Sequence, residues 1–136
     1  MRLAAQWDII HPAVDENGYE LYHTATPRNA TPAFHAHDFY EFYFFISGDA
    51  SAYIEEFAYR LKPRDVVIFA PGMMHRSFFH QTEAYYERLL VYISAESLRK
   101  IAYKQSNLLL TVEELVQSRR FAASLSHESF ACCRDT

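Results

Sequence analysis

The sequence has 136 residues, half of them hydrophobic and 16% aromatic, so it is long and apolar enough for one domain with its own core. Thirteen basic residues against 17 acidic ones give a net charge of −4, which argues against a chain that grips a nucleic-acid backbone by itself. The first residues lack the apolar core of a signal peptide, and no stretch is long enough to span a membrane. We therefore expect a cytoplasmic, single-domain protein.

Residues 1–33 contain three prolines and only short extended pieces such as Tyr19–Thr24. Proline has no N–H to donate to a sheet, so a segment of this kind supplies edge strands at most. Trp7, Ile9 and Ile10 are too apolar to remain in water. We expect an N-terminal arm with one or two edge strands that packs either on the rest of the domain or across the mouth of a pocket.

Between residues 34 and 93, short apolar runs alternate with turn signals at regular spacing, with no helical period between them. The predicted strands are Phe39–Ser47, Ser51–Ile54, Phe57–Leu61, Val66–Phe69, His75–Phe79 and Tyr85–Ile93. This pattern predicts an antiparallel sandwich or a closed barrel, and aromatic residues on both faces of the strands favour the barrel. In the turn after Leu61, Arg64 stands where glycine is common, so we expect a type I or a strained turn.

A helical period begins after Ile93. Ser94 can cap a first helix, and residues 111–114 read as a capping box that opens a second helix. The apolar positions are Leu98, Ile101 and Ala102 in the first helix and Val112, Leu115, Val116, Phe121 and Ala122 in the second. We predict an all-β body followed by a helical appendix over residues 94–136, whose second apolar stripe either covers the barrel or meets a second subunit.

Residues 34–48 place His35, His37 and Glu41 at spacings of two and four in a predicted strand. Alternate side chains of a strand share a face, so we expect these three to converge, with His75 from a facing strand as a fourth partner. Imidazole and carboxylate groups bind zinc, nickel, manganese and iron. Four protein ligands suit tetrahedral zinc, whereas an octahedral ion keeps two positions open. The alternative is a hydrogen-bonded polar cluster without a metal.

Two motifs resemble those of the cupin superfamily. The first is His-x-His, three or four residues, Glu, six residues and Gly, and it is matched by His35, His37, Glu41 and Gly48. The second is a Pro and Gly turn followed after two residues by His, and it is matched by Pro71, Gly72 and His75. The resemblance implies a double-stranded β-helix, or jelly-roll barrel, with a divalent metal on the three histidines and the glutamate.

Within the cupins, the chain resembles the ligand-binding and dimerisation domain of AraC-type transcription regulators. The likeness lies in the run from His35 to Gly48, the run from Leu61 to Ile68 and the paired helices after Ser94. It implies a small-molecule sensor that forms a homodimer and reaches DNA only through a helix-turn-helix region outside this chain. A stand-alone cupin metalloenzyme (a dioxygenase, isomerase or decarboxylase) is the alternative, although no general acid or base is evident beyond the tyrosines.

Four side chains are expected to line an effector pocket in the barrel, namely Tyr43, Tyr53, Arg88 and Tyr92. Their hydroxyls and guanidinium suit a sugar or a small acid, and core packing is the alternative for the tyrosines. An arginine within a strand needs an anion or an acidic partner. Cys132 and Cys133 are expected to be free thiols, because adjacent cysteines rarely form a disulfide.

Overall fold

The computed structural model describes residues 18–25, 33–81, 85–104 and 108–126. Its strands are β1 Tyr19–Ala25, β2 Tyr40–Ser47, β3 Ala50–Ile54, β4 Phe57–Arg60, β5 Asp65–Phe69, β6 His75–Phe79, β7 Glu87–Ile93 and β8 Ala122–Ser124, and its helices are α1 Ala95–Lys104 and α2 Leu108–Gln117. The predictions for Trp7, Ile9, Ile10 and the two cysteines lie outside the described residues. Within those ranges, no helix is long and apolar enough to cross a membrane.

The strands form two sheets in which every pairing is antiparallel. The larger sheet has the order β1-β7-β2-β5-β8, and the smaller has the order β4-β3-β6. Both contribute to one buried cluster, which includes Tyr43, Phe45, Ile54, Val67, Phe69, Phe79 and Leu90. Burial of these side chains between the sheets supplies the main hydrophobic stabilisation. The predicted antiparallel β body followed by two helices is confirmed.

The two helices pack on the outer face of the larger sheet. Leu98 of α1 and Val112 of α2 are buried against outward-facing strand residues, which are Tyr40, Ile68 and Ile93. The predicted cap of α1 is present, since the backbone N–H of Ser97 donates to Ser94 Oγ at 3.0 Å. Part of the apolar stripe of α2 therefore covers the barrel.

The predicted extent of the second helix is wrong at both ends. The helix begins at Leu108, so Thr111 lies inside it and does not cap it. After α2 ends, Arg119 adopts a left-handed backbone conformation with φ 62°, and the chain reverses. Phe121 then packs edge-on against Phe57, with 5.8 Å between ring centroids. Ala122, also predicted to be helical, lies in β8 instead. Their helical spacing reflects burial against the barrel and not a continued helix.

The turn between β4 and β5 is strained, as the sequence predicts. The N–H of Asp65 donates to the carbonyl of Lys62 at 2.9 Å, and Arg64 has φ 77°, which is the conformation of a type II turn and excludes type I. Arg64 is held there by its neighbours, because its N–H donates to Phe45 O at 3.0 Å and its carbonyl accepts from Leu125 N at 2.8 Å. The turn thereby fixes β8 beside β5.

Candidate metal centre

The segment that carries the first two histidines is not part of a strand, contrary to the sequence prediction. His35 forms an isolated antiparallel bridge with His75 of β6, through N–H to carbonyl bonds of 3.0 and 2.9 Å. The chain then bends at Asp38 before β2 begins. In a straight strand His35 and Glu41 would stand about 20 Å apart, too far to share an ion. The bend is what brings their side chains together.

The four side chains meet at one buried point between the sheets. The donor atoms of His35, His37 and His75 lie within 4.8 Å of one another. Glu41 Oε1 lies 2.9 Å from His37 Nε2 and 3.4 Å from His75 Nε2. All four are buried, with exposed fractions of 9% or less. The three histidines can therefore hold a metal ion, with the carboxylate of Glu41 against two of them.

Backbone carbonyls fix the orientation of each imidazole ring. In all three histidines Nδ1 bonds to a carbonyl two residues away, in the pairs His35 with Ala33 at 3.0 Å, His37 with Phe39 at 3.1 Å and His75 with Met73 at 2.8 Å. A carbonyl only accepts, so each Nδ1 carries a hydrogen, and the ring turns its Nε2 towards the other members of the cluster. This is the arrangement by which proteins orient metal-binding histidines.

The electrostatics of the cluster match the chemistry of a metal site. Burial acts to raise the pKa of Glu41, but its contacts with His37 and His75 outweigh burial and hold that pKa at about 2. Burial lowers the pKa of His35 to about 4, so that ring is neutral near pH 7. Neutral imidazole and ionised carboxylate are the forms that bind divalent cations.

One nitrogen of the cluster makes no hydrogen bond within the described residues. The Nε2 atom of His75 is buried, and its contact with Glu41 Oε1, at 3.4 Å, is an ion-pair contact that is too poorly placed for a hydrogen bond. A buried polar atom left in this state costs stability, and a cation at the centre of the cluster would satisfy it. The donor set and this atom together fit a divalent metal ion.

Aromatic rings enclose the histidines. His37 stacks on Phe39 with 4.0 Å between ring centroids, and His75 stacks on Phe69 at 4.1 Å. Tyr92, a predicted pocket residue, meets His37 edge-on at 5.9 Å. Burial, followed by the charge of Glu41, raises the pKa of Tyr92, so its hydroxyl stays protonated. These rings limit the access of water, which strengthens electrostatic interactions inside the cluster.

Two other predicted pocket residues meet farther along the interior. Tyr43 is 1% exposed, and its hydroxyl is hydrogen-bonded to the hydroxyl of Tyr86. Arg88 Nη1 donates to the same Tyr86 hydroxyl at 3.2 Å. The sequence reasoning did not single out Tyr86. Tyr86 stands two residues before Arg88 in the predicted strand, so both side chains lie on one face. This spacing could have identified Tyr86 as a neighbour of Arg88.

Tyr53 lies apart from the other predicted pocket residues. It occupies the outer face of the smaller sheet, because its neighbours Ala52 and Ile54 are the ones buried in the core. Its ring contacts Phe78 at 5.9 Å between centroids, and the guanidinium of Arg76 lies 5.3 Å from its centroid. The expected inward orientation of Tyr53 is therefore not found.

The solved structures that are similar to this chain include the following three. A cupin protein from Bacteroides fragilis is 23% identical with a TM-score of 0.52, over 65% of this chain and 76% of that one. A Cupin 2 conserved barrel domain protein from Salinispora arenicola is 20% identical with a TM-score of 0.51, over 64% and 72%. DMSP lyase DddQ from Ruegeria pomeroyi is 24% identical with a TM-score of 0.50, over 57% of this chain but only 39% of the lyase.

These likenesses, all below 25% identity, show the fold alone, and they confirm the predicted cupin jelly roll. A comparison with curated protein sequences finds no match. The profile of the family described as the AraC-like ligand binding domain matches residues 17–127, which is most of the chain and includes the whole barrel and both helices. The chain therefore belongs to the AraC-like ligand-binding domain family.

Proposed function

We propose that this chain is the sensor domain of a transcription regulator, and that its barrel binds a small effector beside a divalent metal ion. His35, His37, Glu41 and His75 would hold the ion, which is zinc, nickel, manganese or iron. When bound, the ion supplies positive charge and coordination positions for an oxygen of the effector. The convergence of one ring nitrogen from each of three histidines, with the carboxylate of Glu41 against His37, supports this assignment.

Tyr43, Arg88 and Tyr92 would position the effector. Each projects from the larger sheet into the space that the two sheets enclose. Their groups are two phenol hydroxyls and one guanidinium, which can donate hydrogen bonds to the oxygens of a sugar or an acid. Because the rings around the histidines exclude water, such bonds would be stronger than on the surface.

The observation that carries the sensor function is the packing of the helices directly behind the cluster. Glu41 and Tyr92 face the interior, and their chain neighbours Tyr40 and Ile93 face outward against Leu98. A change at the cluster would therefore reach α1 across the thickness of one sheet. An effector that binds one helix arrangement more tightly than another would shift their populations.

Two further parts of the proposal concern partners. Ile101 of α1 and Leu110 of α2 are 44% and 66% exposed, and such apolar helix residues support a homodimer interface. Contact with DNA would come from a helix-turn-helix region linked to this domain, and the regulator would act in the cytoplasm.

Metal content tests the proposal most directly. Elemental analysis of His75→Ala should show loss of the stoichiometric metal of the unaltered chain, because one of four donors is removed. His80→Ala is the matched control, since His80 is exposed and bonded to Ser51 Oγ at 2.8 Å. Full metal content in His75→Ala would contradict the site. Substrate turnover by the metal-loaded chain alone would favour the metalloenzyme alternative.

A further inference from the structure

Arg88 is placed on the inward face of the larger sheet. It lies in β7, where it pairs with Phe45 of β2 on one side and Thr24 of β1 on the other. The next residues of the same parity, Leu90 and Tyr92, are 4% and 5% exposed and belong to the core cluster. The side chain of Arg88 is itself partly buried. A permanent positive charge is thus held at the edge of an apolar interior.

Among the described residues, the polar contacts of the Arg88 side chain are with one neutral group. Its Nη1 donates to the hydroxyl of Tyr86, and its guanidinium lies 5.2 Å from the centroid of the same ring. It forms no ion pair within the described part of the chain, and its buried Nε has no hydrogen-bond acceptor. Glu87 is turned to the other face, where it bonds to His23 at 2.6 Å.

Two other arginines are compensated by carboxylates. Arg60 pairs with Asp49, and Arg119 Nη1 lies 3.3 Å from Glu56 Oε1. Arg76 also has a buried Nε without an acceptor, but its guanidinium lies against three aromatic rings on the outer face of the smaller sheet. Arg88 differs from these arginines because it points inward and has no carboxylate partner in the part of the chain that the structure describes. A partly buried guanidinium in this state costs folding free energy that a bound anion would recover.

The surroundings of Arg88 indicate what kind of anion fits. A guanidinium matches the planar fork of a carboxylate. Along β7, the next inward residue is Leu90, which pairs with Tyr43 of β2, and both are apolar over most of their surface. The strand then reaches Tyr92 and the histidine cluster, about 13 Å of strand from Arg88. The path from the guanidinium to the cluster is therefore aromatic and aliphatic.

We propose that the effector is a small organic acid whose carboxylate pairs with Arg88 and whose apolar body lies along Leu90 and Tyr43. This inference rests on the proposed sensor function and narrows its effector from a sugar or an acid to an acid. Tyr86 acts as a positioning residue, since it holds Nη1 and leaves the remaining donors of the guanidinium for the carboxylate.

The test compares benzoate with benzamide, which has nearly the same shape but no charge. At matched millimolar concentrations, benzoate should raise the melting temperature of the unaltered chain by several degrees, and benzamide should not. In Arg88→Met the response to benzoate should vanish. Arg76→Met is the matched control and should keep the response, because Arg76 lies on the outer face. Without ligand, Arg88→Met should melt at the same temperature as the unaltered chain or higher.

Three results would overturn the inference: no response to benzoate, an equal response to benzamide, or a benzoate response that survives in Arg88→Met. The comparison of benzoate with benzamide on the unaltered chain holds even if Arg88→Met does not fold. Arg88→Lys is a second variant, which keeps the positive charge but lacks the planar fork of the guanidinium. Neutral sugars should be screened in parallel. Stabilisation by a sugar but by no carboxylate would reject the organic-acid effector and leave the sensor function unaffected. Stabilisation by neither class of compound would count against both the organic-acid effector and the sensor function.

Discussion

Acidification of the metal-free chain, from about pH 7 to about pH 4, should lower its free energy of unfolding through His35. Burial lowers the pKa of this ring from 6.5 to about 4 in the folded state. As the pH falls below 6.5, the unfolded chain binds a proton at His35 while the folded chain does not. The loss of stability therefore begins near pH 6.5 and is complete near pH 4.

The size of this loss follows from the difference between the two pKa values. The difference between 6.5 and about 4 corresponds to roughly 3 kcal/mol without screening, and to about 2 kcal/mol once partial solvent access to the ring is allowed for. That is a large part of the roughly 5–15 kcal/mol by which a domain is usually stable. Glu41 adds to the loss only at the acid end of this window, because its pKa falls from 4.5 to about 2 on folding and the unfolded chain binds a proton there below about pH 4.5 while the folded chain does not.

Urea unfolding in the presence of a chelator, at several pH values across this window, measures the effect. His35→Asn should remove about 2 kcal/mol of the pH dependence, because asparagine can still donate to the Ala33 carbonyl but does not titrate. His80→Asn, at an exposed position, is the matched control with which the pH dependence of His35→Asn is compared. An identical pH dependence in the unaltered chain and in His35→Asn would refute the reasoning.

Three substitutions test other features. Arg64→Gly should raise the free energy of unfolding by about 0.5–1 kcal/mol in urea titration, since glycine adopts φ 77° without strain, and a lower stability would contradict this. Gly18→Ala should lower the free energy of unfolding by about 1 kcal/mol or more, because the added Cβ would stand 1.9 Å from Ser97 Oγ. The double variant Gly18→Ala with Ser97→Ala should recover part of that loss. Phe34→Ala should weaken metal binding about tenfold in a chelator competition, by loosening the segment that carries His35, while Phe34→Tyr should bind normally.

The sequence predicts the strands and the four cluster residues but not the path of the chain between them. Equal parity correctly grouped His35, His37 and Glu41, although the bend at Asp38 is what makes them converge. Nothing in the residues near Asp38 distinguishes a bend from a continuous strand, because the histidines and their aromatic neighbours suit both. The decisive contact is the bridge to His75, a tertiary interaction between segments distant in sequence.

Tyr53 shows a second limit of sequence patterns. Alternation groups residues by face, but it does not say which face is buried when both carry apolar side chains. In β3 the small Ala52 points inward with Ile54, into the same buried cluster as large rings such as Tyr43 and Phe69. The larger Tyr53 is left to pack outside with Arg76. Which face of β3 is buried depends on how the side chains of all the strands fill the core, and the sequence of a single strand does not contain that information.

The carbonyls that hold the three Nδ1 atoms belong to the main chain, so the preference of each ring for one tautomer does not depend on the identity of Ala33, Phe39 or Met73. Substitutions at these positions that keep the backbone path can change the size and polarity of the cluster walls without turning the imidazoles. The preferred metal and the effector can therefore diverge among related chains through neighbouring side chains while the ligand geometry stays the same. A proline at the residue after Phe39, which would reshape this backbone, is the type of change that the cluster should not tolerate.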